Sequence, residues 1–62
     1  MTLSERGALI REERQRQGLS LYKAAVKAKV HPNSIMLAER GATSEDMLDR
    51  IAQALGVGEA QP

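Results

Sequence analysis

The chain has 62 residues, no Cys, a single His and a formal net charge of +1. Disulfide staples and thiolate or His-cluster metal sites are thereby excluded, and a chain this short buries only about 60% of the surface its unfolded form exposes, so one domain of marginal stability is expected. The charge is unevenly divided: residues 1–40 carry eight bases against four acids (+4) and residues 41–62 one base against four acids (−3), which fits a phosphate-facing end opposite an acidic one.

Ser4 followed by Glu5 reads as an N-cap with an acid in the first turn, and the charged stretch beyond it ends at Gly18, giving a first helix over about 4–17. Gly7 within it costs roughly 1 kcal/mol relative to Ala, so a frayed first turn is expected. Leu3 and Ile10, with Arg14 one turn on, mark the inward side, and Arg11, Glu12, Gln15 and Arg16 read as a solvated face. Ser20 caps a second helix over about 20–28, in which Leu21, Ala24, Ala25 and Ala28 recur at helical spacing and let another helix approach closely. Tyr22, the only aromatic residue, either covers the core or lies against a sugar-phosphate strand, with packing favoured.

The third helix opens at His31-Pro32, since Pro at the first helical position gives up no hydrogen bond, and runs through Ile35 and Ala38 to Gly41. Thr43 or Ser44 caps the fourth, with Glu45 and Asp46 placed against the positive end of its dipole. Met47, Leu48, Ile51, Ala52 and Leu55 form its apolar stripe, and Gly56 stops it. No strand-like alternation occurs, so the expected fold is all-α, with four or at most five short helices: one domain over 1–57 and a disordered tail over 58–62. No apolar run approaches the roughly 18 residues of a membrane span and no signal peptide is evident, so a cytoplasmic location off the membrane is expected.

Several pieces in register resemble the Xre/Cro family of helix-turn-helix DNA-binding domains, the lambda-repressor-like fold. They are Ile10-Arg11 leading to Arg14, Gly18-Leu19-Ser20, Ala25, Val30, Ile35, Glu39-Arg40-Gly41 and Ile51-Ala52-Gln53-Ala54-Leu55-Gly56-Val57, together covering about residues 9–57. The resemblance implies a helix-turn-helix at about 20–40 and a bacterial or phage-encoded, sequence-specific transcriptional regulator, expected to be a repressor that places helix 32–40 in the major groove of its operator. It further implies that Arg14 and Glu39 form a partly buried structural ion pair. Asn33, Ser34, Leu37 and His31 would then face base edges, Asn33 being suited to adenine. Ser20, Lys23, Lys27 and Arg40 would contact phosphates. His31 is as well placed to cap its own helix as to touch DNA.

The sequence departs from that family at four places. Lys29 stands at the turn position where relatives usually have Gly, at a cost of order 1 kcal/mol if its φ is positive. The loop from Gly41 to Ser44 has no Lys or Arg, and too few residues follow Val57 for a fifth, dimer-forming helix. Met36 and Leu37 are apolar where relatives are commonly polar. They read thymine methyl groups, form a sticky surface for another protein, or divide, with Met36 tucked against the fourth helix and Leu37 exposed. Neither a nucleophile–base pair nor a phosphate-cradling Gly loop is present, so no enzyme and no cofactor are expected. The partners expected are double-stranded DNA, a second copy in a weak homodimer, or, as the alternative function, a protein bound through Met36 and Leu37 by an antitoxin-like or anti-repressor domain.

Overall fold

Each helix begins where a side chain can accept an otherwise unpaired backbone N–H, and in the computed structural model, which describes residues 1–57, four helices start this way. They are α1 (Leu3–Arg16), α2 (Leu21–Ala28), α3 (Pro32–Glu39) and α4 (Glu45–Leu55), and no strand occurs among the described residues. The expected tail over 58–62 lies outside them. No helix there is long and apolar enough to cross a membrane.

Three of the four caps use hydroxyls. Ser20 Oγ accepts the Lys23 N–H at 3.0 Å, and Ser44 Oγ accepts that of Met47 at 3.2 Å. At α1 the cap is Thr2 and not Ser4. Thr2 Oγ1 accepts the Glu5 N–H at 3.1 Å while Glu5 Oε1 accepts the Thr2 N–H at 2.7 Å, a reciprocal pair that Ser4 could not form with its neighbours. The Thr2 backbone N–H, and after it the Thr2 side chain, hold the Glu5 carboxyl below its ordinary pKa.

The core is aliphatic. Ile10 of α1, Ala24, Ala25 and Ala28 of α2, Ile35 and Ala38 of α3, and Leu48, Ile51 and Leu55 of α4 are buried together, with Leu19, Leu21, Val30 and Met47 packed on its edge. Alanines on α2 and α3 keep those helices close, and α4 packs across both and against α1. An ion pair from Arg6 to Asp49 also joins α1 to α4.

Two sequence expectations fail at the core boundary. Leu3 is exposed: it is the first residue of α1, two turns before the buried Ile10, and takes no part in the core. Tyr22 does not cover the core: it is 68% exposed, since Ala24, Ala25 and Ala28 occupy the inward side of α2.

Gly7 is a contact and not a weak point. It is buried, and a Cβ there would lie 2.7 Å from the Glu39 carbonyl oxygen and closer still to that of Ala38. From the other side, a Cβ on Gly41 would lie 2.6 Å from the Ser4 nitrogen. The start of α1 and the end of α3 therefore meet backbone to backbone, which only residues lacking a side chain permit.

The helices also close alike. After α2, the Lys29 N–H reaches the Val26 carbonyl at 3.2 Å and the Val30 N–H the Ala25 carbonyl at 3.0 Å, a Schellman pattern. It recurs at Gly18, Gly41 and Gly56, so Lys29, at φ 59°, is the one side-chain-bearing residue among the four left-handed positions. Its side chain is exposed and makes no hydrogen bond within the described residues. Lys29→Gly is expected to stabilise the fold by up to about 1 kcal/mol, raising the melting temperature by roughly 4–8 °C in a domain of this size. A lower melting temperature in a thermal scan would contradict the strain assigned to this residue.

Candidate nucleic-acid interface

α2, the turn at Lys29 to His31 and α3 form a helix-turn-helix unit in which Val30 packs on the core between the two helices. His31 is the N-cap of α3, its Nδ1 accepting the Asn33 N–H at 3.0 Å, and Pro32 supplies the first turn without losing a bond. The imidazole is thus held as the tautomer with its proton on Nε2 by the hydrogen bond it accepts, and the ring is exposed. The outward side of α3 carries Asn33 and, one turn on, Leu37, which is 41% exposed. No hydrogen bond within the described residues engages the Asn33 carboxamide. Ser34 is half-buried on the flank, its backbone N–H donating to the His31 carbonyl.

Beside this face lies a cleft of about 220 Å³ lined by Arg11 and Arg14 of α1, Leu21 at the first turn of α2, and Met36, Glu39 and Arg40 at the end of α3. Its floor is a two-pronged ion pair: Arg14 Nε lies 2.5 Å from Glu39 Oε2 and Nη2 lies 3.3 Å from Oε1. The third guanidinium nitrogen donates to the Leu19 carbonyl at 2.9 Å, fixing the residue before the α2 cap. Side-chain exposures of 14% and 10% place the pair largely out of water. Arg14 and Glu39 neutralise one another. Arg11 and Arg40 are both exposed and have no carboxylate at ion-pair distance among the described residues, so they set the sign of the cleft.

The first turn of α2 opens onto the same place. Its Lys23 N–H is taken by Ser20, while the first i−4 bond is that of Ala24 to the Ser20 carbonyl, leaving the Leu21 and Tyr22 N–H groups directed outward. Of the residues singled out in the sequence, Arg40 lines the cleft together with Leu21, the residue after the Ser20 cap, while His31, Asn33 and Leu37 lie along α3 and Lys23 is exposed on α2. Lys27 is elsewhere: its Nζ bonds Gln17 Oε1 at 3.1 Å, and Gln17 in turn donates to the Leu55 carbonyl at 2.7 Å, at the α1–α4 end. Glu13 lies there too, its carboxyl held down to about 2 by hydrogen bonds from Arg16 and Gln17, with Lys27 adding to the effect.

Arg11 is exposed, as a solvated face requires, and it also lines the cleft, a place that only the crossing of α1 over α2 and α3 creates. Met36 differs as well. It lines the cleft between α1, α2 and α3 rather than tucking against α4, because Ile35 and Ala38 already fill the inward side of α3. Among the described residues no group of three His, Cys, Asp or Glu could hold a metal ion.

The geometry is that of a small all-helical domain presenting a helix-turn-helix. The model of the helix-turn-helix domain family matches residues 5–61, and the chain belongs to that family. No curated protein and no solved structure matches it.

Removing either Arg14 or Glu39 leaves a charge in a largely dry site, so Arg14→Ala and Glu39→Ala are each expected to cost up to about 3 kcal/mol, and the double variant clearly less than their sum. A thermal or denaturant double-mutant cycle measures the coupling. Strictly additive losses would mean that the two side chains do not act as a pair.

Proposed function

We propose that this chain is a sequence-specific DNA-binding regulator of the Xre/Cro kind, acting as a repressor by occupying its operator. α3 lies in the major groove with Asn33, Leu37, Ser34 and His31 toward base edges. The phosphate backbone is held beside it by the α2 N-terminus at Ser20 and by Arg11 and Arg40, with Lys23 one turn further along α2.

The observation that carries this reading is a coincidence of place. Arg40, the outward N–H groups of α2 and the unengaged Asn33 amide belong to one helix-turn-helix unit, and Arg11 of α1 lines the cleft beside it. Backbone N–H groups and guanidinium forks both suit phosphate oxygens, whereas a free carboxamide suits a base edge. Lys27, tied to Gln17, has a smaller part in phosphate contact than its charge alone implies.

A protein-binding reading draws on a different observation: Tyr22 and Val26, one turn apart on α2, are 68% and 60% exposed, and Leu37 adds apolar surface on α3. The two readings separate by salt. Phosphate contacts release counterions, so DNA affinity falls as salt rises, with a slope of about −0.9 per phosphate in a logarithmic plot.

Fluorescence anisotropy on duplexes from the DNA upstream of the gene, and on random duplexes, provides the test. Arg11→Ala and Arg40→Ala are each expected to weaken both classes of duplex about equally and to lower the salt slope by about one. Asn33→Ala is expected to cost about 1–3 kcal/mol on the specific duplex and little on random DNA. A salt-insensitive association, or arginine variants that bind like the parent chain, would overturn the proposed interface.

A further inference from the structure

We infer that the base pairs beneath the middle of α3 are A·T pairs, read through an adenine edge at Asn33 and a thymine methyl group at Leu37, an inference that rests on the DNA reading above and names the class of sequence it selects.

From Val30 to Ala38 the chain has no charged residue, and the acid that follows, Glu39, is held by Arg14. Guanine offers two acceptors in the major groove, N7 and O6, whose commonest protein partners are the paired donors of Arg or Lys. α3 displays neither. Arg40 comes after its last turn and lines the cleft, and Lys29 precedes its cap. His31 has a single N–H to spare, because Nδ1 is already accepting from Asn33, so it cannot supply a two-donor match.

The side chains that α3 does display suit the other base pair. The Asn33 carboxamide is exposed and unengaged, and it can donate to adenine N7 while accepting from adenine N6. Leu37 lies four residues on, about 6 Å along the helix axis, or roughly two base steps at 3.4 Å each. An exposed leucine pressed on a G·C pair would cover a donor and acceptors without satisfying them; on an A·T pair it meets the thymine methyl. Pro32, half-buried at the start of α3, adds no backbone donor that would change this balance.

The test is selection of bound duplexes from a random-sequence pool by the full chain at fixed salt, followed by anisotropy on the selected duplex and its variants. The expected result is enrichment of A·T pairs at two positions about two steps apart. Adenine→guanine at the Asn33 position should weaken binding roughly five- to a hundredfold. Replacing the thymine under Leu37 by uracil, which removes only the methyl group, should weaken it about fourfold. Leu37→Arg, at an exposed position that leaves the core untouched, should move the preference there to guanine. Enrichment of G·C at these positions, or undiminished affinity for the uracil duplex, overturns the inference. Either of those results leaves sequence-specific DNA binding standing, whereas equal binding of all duplexes overturns the inference together with sequence specificity, and binding of none overturns the DNA reading itself.

Discussion

A single guanidinium joins three segments that the proposed DNA-facing side needs in register. From α1, Arg14 donates twice to Glu39 at the end of α3 and once to the Leu19 carbonyl just before the α2 cap. The planar fork of Arg matches a carboxylate at two points and still has a donor for a carbonyl, which the point charge of Lys could not reproduce. Because the pair is largely out of water, its geometry is set by the fold rather than by solvent, and it contributes no net charge to the cleft above it. The positive character of that cleft comes from Arg11 and Arg40, which line it together with the pair.

The remaining constraint is how closely the helices approach. With a core of four alanines and five larger aliphatic side chains, little area is buried, and the fold gains by bringing backbones together. At Gly7 and Gly41 the start of α1 and the end of α3 meet without side chains between them, one end of the same α1–α3 contact that Arg14 and Glu39 complete. The apolar stripe of α4 then closes the base, and the ties from Gln17 to Leu55 and from Arg6 to Asp49 fix α1 over α4. α3 is therefore supported from behind on α1, α2 and α4, and its outward face carries no structural duty.

Helix limits were legible because capping and termination are local: Ser20, His31-Pro32, Ser44 and the left-handed residues from Gly18 to Gly56 announce them within a few positions. The exception at α1 was also written locally, in the Thr2-to-Glu5 spacing, but Ser4 next to Glu5 offered a competing start. What depends on helices crossing was not legible. The value of Gly7 lies in carbonyl groups of residues 38 and 39, and nothing near it in the chain distinguishes it from a helix-weakening glycine. Arg11 looks like any solvated arginine until α3 lies beside it, and Lys27 looks like any surface lysine until Gln17 is seen to hold it. The residue type of Tyr22 favours core packing over lying against a sugar-phosphate strand, but three alanines fill the inward side of α2 and leave the ring exposed.

The central claim is that one face, made by α3, the first turn of α2 and the Arg11–Arg40 cleft, meets duplex DNA. Amide and arginine side-chain shifts of the isotope-labelled chain, titrated with duplex and read by NMR, test it most directly. The account predicts the largest shifts at Leu21, Lys23, Asn33, Ser34, Leu37 and the Nε–H groups of Arg11 and Arg40, with little change at Asp46, Asp49 and Gln53 on the exposed side of α4. Shifts concentrated on α4, with α3 unmoved, would contradict it.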